Sequence, residues 1–438
     1  MKKTYFFTLL TAVLLTFNAH STTYTSAANG NWMNFMTWSP FGVPIPGDIV
    51  IINHAVAMDT SFAYSTGSIT VNASGSLIQN SPVRDIWLNG INASFTNNGT
   101  TTIRFMLLDA GSFTNTGMFN VKSVFNNITM NNSGTLNGVD SLYNNNGTIN
   151  NNGTVKVMTF YNNNVMNNYG TIEGLTTVVD SMWNQGTFLN DAGAMLKADS
   201  ATNNGIFTNN GTIQYLQFTN YVSGTFINNN SLSFDDMSNF GVFTNNDVIT
   251  GASSMWNNEV FDNTSTGQIT LGVSFLNADS VSNTAYFTNN GAVGIGDSFY
   301  NFNTVSGTSS GSFTVQDTSY NSGTMTGSFD FCDATPPPSY PYIDWNFGTI
   351  DATITFCGLT TVAELDKQTF TIYPNPTTGI VNFGSQKQFV EVYAVDGKLL
   401  LQDFTNQINI KNYNSGVYFL VIKDKEGNQL YKEKLIKQ

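Results

Sequence analysis

Ala198-Asp199-Ser200-Ala201-Thr202-Asn203, followed by Phe207-Thr208-Asn209-Asn210-Gly211, returns 80 residues later as Ala278-Asp279-Ser280-Val281-Ser282-Asn283 and Phe287-Thr288-Asn289-Asn290-Gly291. Val139-Asp140-Ser141-Leu142-Tyr143-Asn144 likewise returns 40 residues on as Val179-Asp180-Ser181-Met182-Trp183-Asn184. Weaker copies fill the gaps, among them Thr159-Phe160-Tyr161-Asn162, Ser254-Met255-Trp256-Asn257 and Asp297-Ser298-Phe299-Tyr300-Asn301, and most successive starts lie 18 to 21 residues apart. The unit reads roughly D-S-h-aromatic-N-x-G-x-h-x-N-N-G-T-h, with h apolar. A unit this short cannot bury its own apolar face and must stack on its neighbours. Short apolar–polar alternations with Gly or Asn at each corner describe a parallel β-solenoid (a β-helix, expected right-handed). Some twelve coils at ~4.8 Å each give a rod on the order of 60 Å. Phe, Ile, Val and Met are expected to point inward as ladders, with the aromatics as the stacked interior. Asn and Gly are expected at the corners because both tolerate positive φ, with Asn also bonding its own backbone there and serving as a ladder residue of the coil.

Composition agrees. Of 438 residues only 10% are charged while 13% are aromatic, and Asn supplies 44 of the 240 residues from 91 to 330. Regular aromatic positions argue for a core rather than a disordered polar tract. Helix is disfavoured by the Gly and Asn content. The formal charge of −13 excludes a nucleic-acid binder working by phosphate neutralisation. With His20 in the leader, His54 is the one histidine left, so a His-based catalyst or metal site is not expected; no cofactor is expected either. The charge is uneven: residues 22–363 carry 5 basic residues against 21 acidic ones, whereas 364–438 hold 9 Lys and 8 acidic residues.

Residues 1–21 read as a secretory signal, with Lys2 and Lys3, an apolar Tyr5 to Phe17 run and small residues at Ala19-His20-Ser21. That run is shorter than the ~20 residues a membrane-spanning helix needs. Residues 22–90 read as an N-terminal cap and first coils, 91–330 as the solenoid repeats, 331–363 as a Cys-bracketed, Pro-rich cap or linker, and 364–438 as a separate domain. The cap's Asn29-Gly30-Asn31-Trp32, Thr37-Trp38-Ser39-Pro40 and Pro46-Gly47-Asp48 resemble the opening of many bacterial surface β-helix proteins. Trp32 and Trp38 are expected in the core of the cap, with sugar stacking as the alternative. Cys332 and Cys357, the two cysteines of an exported chain, are expected to form one disulfide closing a loop after the last coil.

In the tail, short alternating runs such as Phe389 to Tyr393 and Val417 to Ile422 are separated by turns at Asp396-Gly397 and Glu426-Gly427-Asn428. About seven strands in a small antiparallel, Ig-like β-sandwich are expected. Tyr373-Pro374-Asn375-Pro376-Thr377-Thr378-Gly379, then Asp396-Gly397-Lys398, then Ser415-Gly416-Val417-Tyr418 resemble the type A C-terminal sorting domain of the type IX secretion system. The resemblance covers 365–438. It implies a Bacteroidetes source, passage through the type IX machinery and removal of the domain by a sortase-like protease. It also implies a secreted protein at the cell surface, on the outer-membrane exterior, either attached to an anionic lipopolysaccharide or released.

Asp recurs at one corner (Asp140, Asp180, Asp199, Asp279, Asp297, Asp317). Turn chemistry, calcium and modification compete for it. The Gly-rich nonapeptide of calcium β-rolls is absent. Asp140-Ser141, Asp180-Ser181, Asp199-Ser200 and Asp279-Ser280 resemble a Bacteroidetes O-glycosylation motif, making Ser141, Ser181, Ser200 and Ser280 candidate acceptors. Threonines at Thr148, Thr154, Thr171, Thr187, Thr212 and Thr225 raise ice binding, weakly. The expectation is a non-enzymatic surface protein, an adhesin, spacer or surface-layer component, with host or environmental glycans as candidate partners. A polysaccharide lyase or glycoside hydrolase is the alternative. Its candidates would be Asp235, Asp236 or Glu259 as carboxylates, with Arg84 and Arg104 the body's only arginines.

Overall fold

The computed structural model describes residues 21–175, 179–279, 285–335, 342–357, 370–384, 387–395, 398–423 and 429–438. The signal segment at 1–20, Ser280, Pro336 to Pro338, Asp396, Gly397 and the Glu426-Gly427-Asn428 turn lie outside the described residues. The chain divides into units at 1–358 and 359–438, each described by itself.

The first unit is a parallel β-solenoid of about 15 turns, with strands from Thr23 to Phe356. Its strands pair in parallel except where Thr23–Ser26 meets Trp38–Ser39 in the cap. Each typical coil has three faces. On the first, Ser112–Asn115 pairs with Thr129–Asn132, which pairs with Thr148–Asn151. On the second, Thr154–Lys156 pairs with Thr171–Glu173. On the third, Thr159–Asn162 pairs with Val179–Asn184. Some coils run the second and third faces as one bent strand, as Met118–Asn126 and Met195–Asn203 do.

Alternation within these strands sends every second residue inside, where it stacks on its register partner. Phe188, Phe207, Phe226, Phe243 and Phe261 form one such column, fully buried, with ring centroids 4.5, 4.8, 4.8 and 4.5 Å apart. Leu196, Ile213, Leu232 and Ile249 form the column inside the second face. Phe160, Met182, Ala201 and Phe218 form that inside the third. Each large side chain so buried contributes about 1.5–3 kcal/mol.

The repeated Asn is a ladder residue, as expected, but not the positive-φ corner residue. Two residues beyond the inward apolar residue of the first and third faces, it also points inward and, as far as Asn321, is buried. Asn97 to Asn289 form one ladder, each Nδ2 donating to the Oδ1 of the Asn one coil on at 2.7–2.8 Å. Asn126 to Asn346 form a second ladder, at 2.7–2.9 Å and in the same direction. The positive φ expected of these residues is not found: among the described residues the one non-Gly with positive φ is Cys357. Asn is selected instead because a carboxamide both donates and accepts, so a column of identical side chains satisfies itself. It also holds its own corner, as when Asn184 Nδ2 donates to the Gly186 carbonyl at 3.2 Å.

Most corner glycines answer to space rather than to φ, Gly193 at φ +81 being the exception that meets open space. A Cβ on Gly117, Gly134, Gly153 or Gly170 would sit 2.1 Å from the carbonyl oxygen of the glycine one coil earlier.

At the N-terminal end Trp32 and Trp38 are buried, rings 5.0 Å apart, with Trp38 Nε1 donating to the Trp32 carbonyl at 2.8 Å. They are core of the cap, as expected. At the other end the stacking runs beyond residue 330: Asp330–Asp333 pairs with Thr355–Phe356, and the Cys332–Cys357 disulfide joins these strands. The bridge therefore staples successive coils instead of closing a loop after them. A 25-residue separation corresponds to about 3.5 kcal/mol of unfolded-state entropy.

The second unit is antiparallel. Ile380–Asn382 pairs with Gln407–Asn409. A four-stranded sheet runs Leu399–Thr405, Gln388–Ala394, Gly416–Lys423, Gln429–Lys437. Val381, Phe383 and Ile408 share one core with Val392, Leu420 and Leu435, so the two sheets pack face to face. This is a small sandwich with six strands among the described residues, against about seven expected.

Candidate functional site

The tail motif is an exposed segment tied down by its backbone. Asn375 is the clip: its Nδ2 donates to the Lys434 carbonyl at 2.6 Å and its Oδ1 accepts from Ile436 N–H at 2.9 Å. It thus imitates a strand partner for the last strand. Thr377 continues the contact, its N–H donating to the Ile436 carbonyl at 2.8 Å. Its hydroxyl donates to the Ile380 carbonyl and accepts from Gly379 N–H. Gly379 is required, since a Cβ there would lie 2.9 Å from Lys411 Cβ. Tyr373, Pro374 and Pro376 stay exposed, leaving Tyr-Pro-Asn-Pro as an accessible ridge. Tyr418 is nearly buried and donates to the Asn414 carbonyl at 2.8 Å, a tether of the tyrosine-corner kind. Nothing in the structure explains Gly416, where a Cβ would meet open space.

Toward the other end of the same sheet, Lys423 Nζ meets Glu391 Oε2 at 2.8 Å, and the Tyr393 hydroxyl donates to the same oxygen at 2.6 Å. The Lys423 hydrogen bond, then that of Tyr393, holds the Glu391 carboxyl below the usual range. A concavity of about 480 Å³ opens here, lined by Tyr393, Val395, Phe419, Lys423 and Lys432.

On the solenoid the candidate acceptors Ser141, Ser181 and Ser200 fall in one half-buried column at the entry to the third face, with Thr159 between the first two. The Asp140 carboxylate goes to Lys122 at 3.2 Å, one coil back, rather than to its own turn. Among the described residues no three His, Cys, Asp or Glu side chains converge as a metal site requires. The threonines divide between two columns, Thr148, Thr187 and Thr225 on one face and Thr154, Thr171 and Thr212 on another. Arg104 is committed to Asp85 through Nε at 2.8 Å and Nη2 at 2.5 Å. Asp236 sits on the third face in register with Gln217, its Oδ1 accepting from Ser254 N–H at 3.3 Å.

The expectation that the aromatics are interior holds for the Phe of Phe-Thr-Asn and fails for the aromatic of Asp-Ser-h-aromatic-Asn. Phe125, Tyr143, Tyr161 and Trp183 lie half-buried on the outside of the third face. Their rings stack at 5.0, 4.8 and 4.6 Å, within 6° of parallel. The signal was present: a residue between two inward neighbours in a strand must face out.

Residues 371–438 match the family model described as "Secretion system C-terminal sorting domain". No curated protein and no solved structure matches the chain. The match coincides with the sandwich and with the Asn375 clip, while the solenoid lies wholly before it. The chain therefore carries a type IX secretion C-terminal sorting domain behind a β-solenoid passenger, which marks it for secretion and association with the cell surface.

Proposed function

We propose that the solenoid is a non-enzymatic surface rod, an adhesin, spacer or surface-layer component. On this reading residues 1–21 direct export from the cytoplasm and the sorting domain is cut off by a sortase-like protease. The passenger is then held by lipopolysaccharide on the outer-membrane exterior, or released. The observation that carries the reading is the commitment of the passenger's repeated residues to stacking. Two continuous Asn ladders and three apolar columns make one stiff length ahead of a sorting domain. Excess negative charge on the passenger keeps such rods apart in solution. Glycans are the partner class that fits a surface rich in amides and sparse in charge.

The test is fractionation of the native host with mass analysis of the surface form. A C-terminus near residue 358 to 370 is expected; a surface form ending at Gln438 contradicts cleavage. Deleting 371–438 should leave the passenger inside the cell envelope. Release of reducing ends or unsaturated products from common polysaccharides would overturn the non-enzymatic reading in favour of a lyase or hydrolase.

A further inference from the structure

We propose that the outer face of the solenoid beside Trp183 is a binding subsite for one neutral pyranose ring of a glycan. The proposal gives a ligand to the surface role above and rests on that reading for its biological setting.

The outer aromatic column stops at Trp183. One face of its indole is covered by Tyr161 at 4.6 Å, and its register partner in the next coil is Thr202, followed by Thr219. A threonine is too short to continue the stack, so the second π face of Trp183 is left open. A notch of about 220 Å³ lies there, lined by Trp183, Asn184, Gln185, Thr202, Asn204 and Tyr221. It is smaller than the roughly 300–1,000 Å³ of a drug-sized pocket, as a single sugar ring requires. Trp183 and Tyr221 come from coils two steps apart, about 10 Å along the axis at ~4.8 Å per step. Tyr221, half exposed, rests on Phe240 behind it at 6.3 Å.

The lining is specific in its chemistry. An aromatic face carries partial negative charge, which suits the C–H face of a pyranose. The rim offers two carboxamides, Gln185 and Asn204, and the Thr202 hydroxyl, able to donate to and accept from ring hydroxyls. Asn204 Oδ1 is engaged by the Ser223 hydroxyl, which leaves Nδ2 as its donor. No lining residue is charged, so neither a phosphate nor an acidic sugar is favoured. Among the described residues the indole N–H groups of Trp183 and Trp345 meet no acceptor, whereas those of Trp32, Trp38, Trp87 and Trp256 all donate.

The experiment uses the purified full chain on an array of neutral oligosaccharides (gluco-, xylo-, manno- and chito-oligosaccharides), followed by calorimetric titration of those bound. Wild type should bind at least one. Trp183→Ala should weaken binding at least tenfold, Gln185→Ala severalfold, and Trp183→Tyr should keep most of it. Trp87→Ala, in the same register but separated from the aromatic stack by Leu107, should not affect it. Equal thermal melts for the variants exclude a folding defect. Absence of binding to every neutral glycan, indifference to Trp183→Ala, or binding confined to acidic glycans or a protein partner would overturn the proposal. Host cells that adhere to glycan equally well with Trp183→Ala sink the subsite but leave the surface reading standing. A purified chain that binds while never reaching the surface does the reverse.

Discussion

Replacing Asn209 by alanine tests the ladder where it is most enclosed. Its Nδ2 donates to Asn228 Oδ1 at 2.8 Å and to the Ser231 carbonyl at 3.0 Å. Its Oδ1 accepts from Asn190 Nδ2 at 2.8 Å and from Gly211 N–H at 3.2 Å. The side chain is fully buried, so water cannot replace these partners. Four hydrogen bonds at about 1 kcal/mol each give ~4 kcal/mol, and the orphaned Asn228 oxygen pushes the cost toward the upper side of that figure. Asn190 Nδ2 retains the Thr212 carbonyl at 3.3 Å, which limits it. Asn229 is the control: it belongs to an exposed amide row, accepting from Asn246 at 2.7 Å and donating to Asn210 at 2.8 Å. Because water takes over at Asn229, Asn229→Ala should cost no more than about 0.5 kcal/mol. Urea titration of the full chain reads the difference. With an m-value on the order of 3 kcal/mol/M, Asn209→Ala should lower the midpoint by about 1 M and Asn229→Ala by less than about 0.2 M. Asn209→Asp adds a second arm. The carboxylate can accept from Asn190 but not donate to Asn228, and burial raises its folded pKa above the unfolded value. That variant should grow more stable as the pH falls from the folded pKa toward ~3.9. Equal midpoints for Asn209→Ala and Asn229→Ala would refute the structural role of the ladder.

Two further substitutions bear on the rest of the chain. Gly134→Ala places a Cβ 2.1 Å from the Gly117 carbonyl oxygen and should cost about 3 kcal/mol by forcing coils apart. Gly193→Ala meets open space at φ +81 and should cost only ~1–2 kcal/mol; thermal melts that rank the two in the opposite order contradict the close-approach argument. In the tail, Glu391 has its folded pKa lowered, chiefly by Lys423, so its contribution is full above the unfolded value near ~4.3 and disappears as the pH falls through the folded one. Hydrogen exchange at Val390 and Val392 should therefore separate wild type from Glu391→Gln at pH 7 and bring them together at low pH; a gap that persists unchanged at pH 3 rules the ion pair out.

The repeat, the three apolar columns and the separate tail were legible because stacking demands periodicity, and periodicity survives in a single sequence. The role of Asn was only half legible. Corner residues and inward ladder residues are both spaced one coil apart, and nothing in Asn-Asn-Gly says which Asn is which. Register decides it: Asn209 is two residues from Phe207 and shares its side, whereas Asn210 turns out. The same rule places Tyr143 and Trp183 outside, and a strict count of alternation from Leu142 or Met182 would have found them. What no count could supply is the end of the aromatic column. That depends on Thr202 following Trp183 across a gap of 19 residues, a pairing that only the fold establishes.

The low charge of the passenger follows from the same stacking. In a parallel solenoid each residue faces its own repeat one coil away, so a charged residue in the repeat unit would build a column of like charges. At ~4.8 Å and an effective dielectric near 20, each step would cost about 3–4 kcal/mol. A carboxamide column costs nothing of the kind, because the group that repels in neither state donates forward and accepts from behind. Three ion pairs join adjacent coils, Asp85 with Arg104, Asp140 with Lys122 and Glu173 with Lys156, while the Asp of the repeat is kept at a solvent-facing corner, where Asp180 and Asp199 fall on neighbouring coils. Swapping one member, as in Lys156→Glu, would set two carboxylates on neighbouring coils and should destabilise more than Lys156→Gln, the difference shrinking in high salt because the site is part-exposed. A rod built by repetition is thereby driven toward neutral, self-complementary side chains. The abundance of Asn is the chemical consequence of repeating, independent of any ligand the outer face binds.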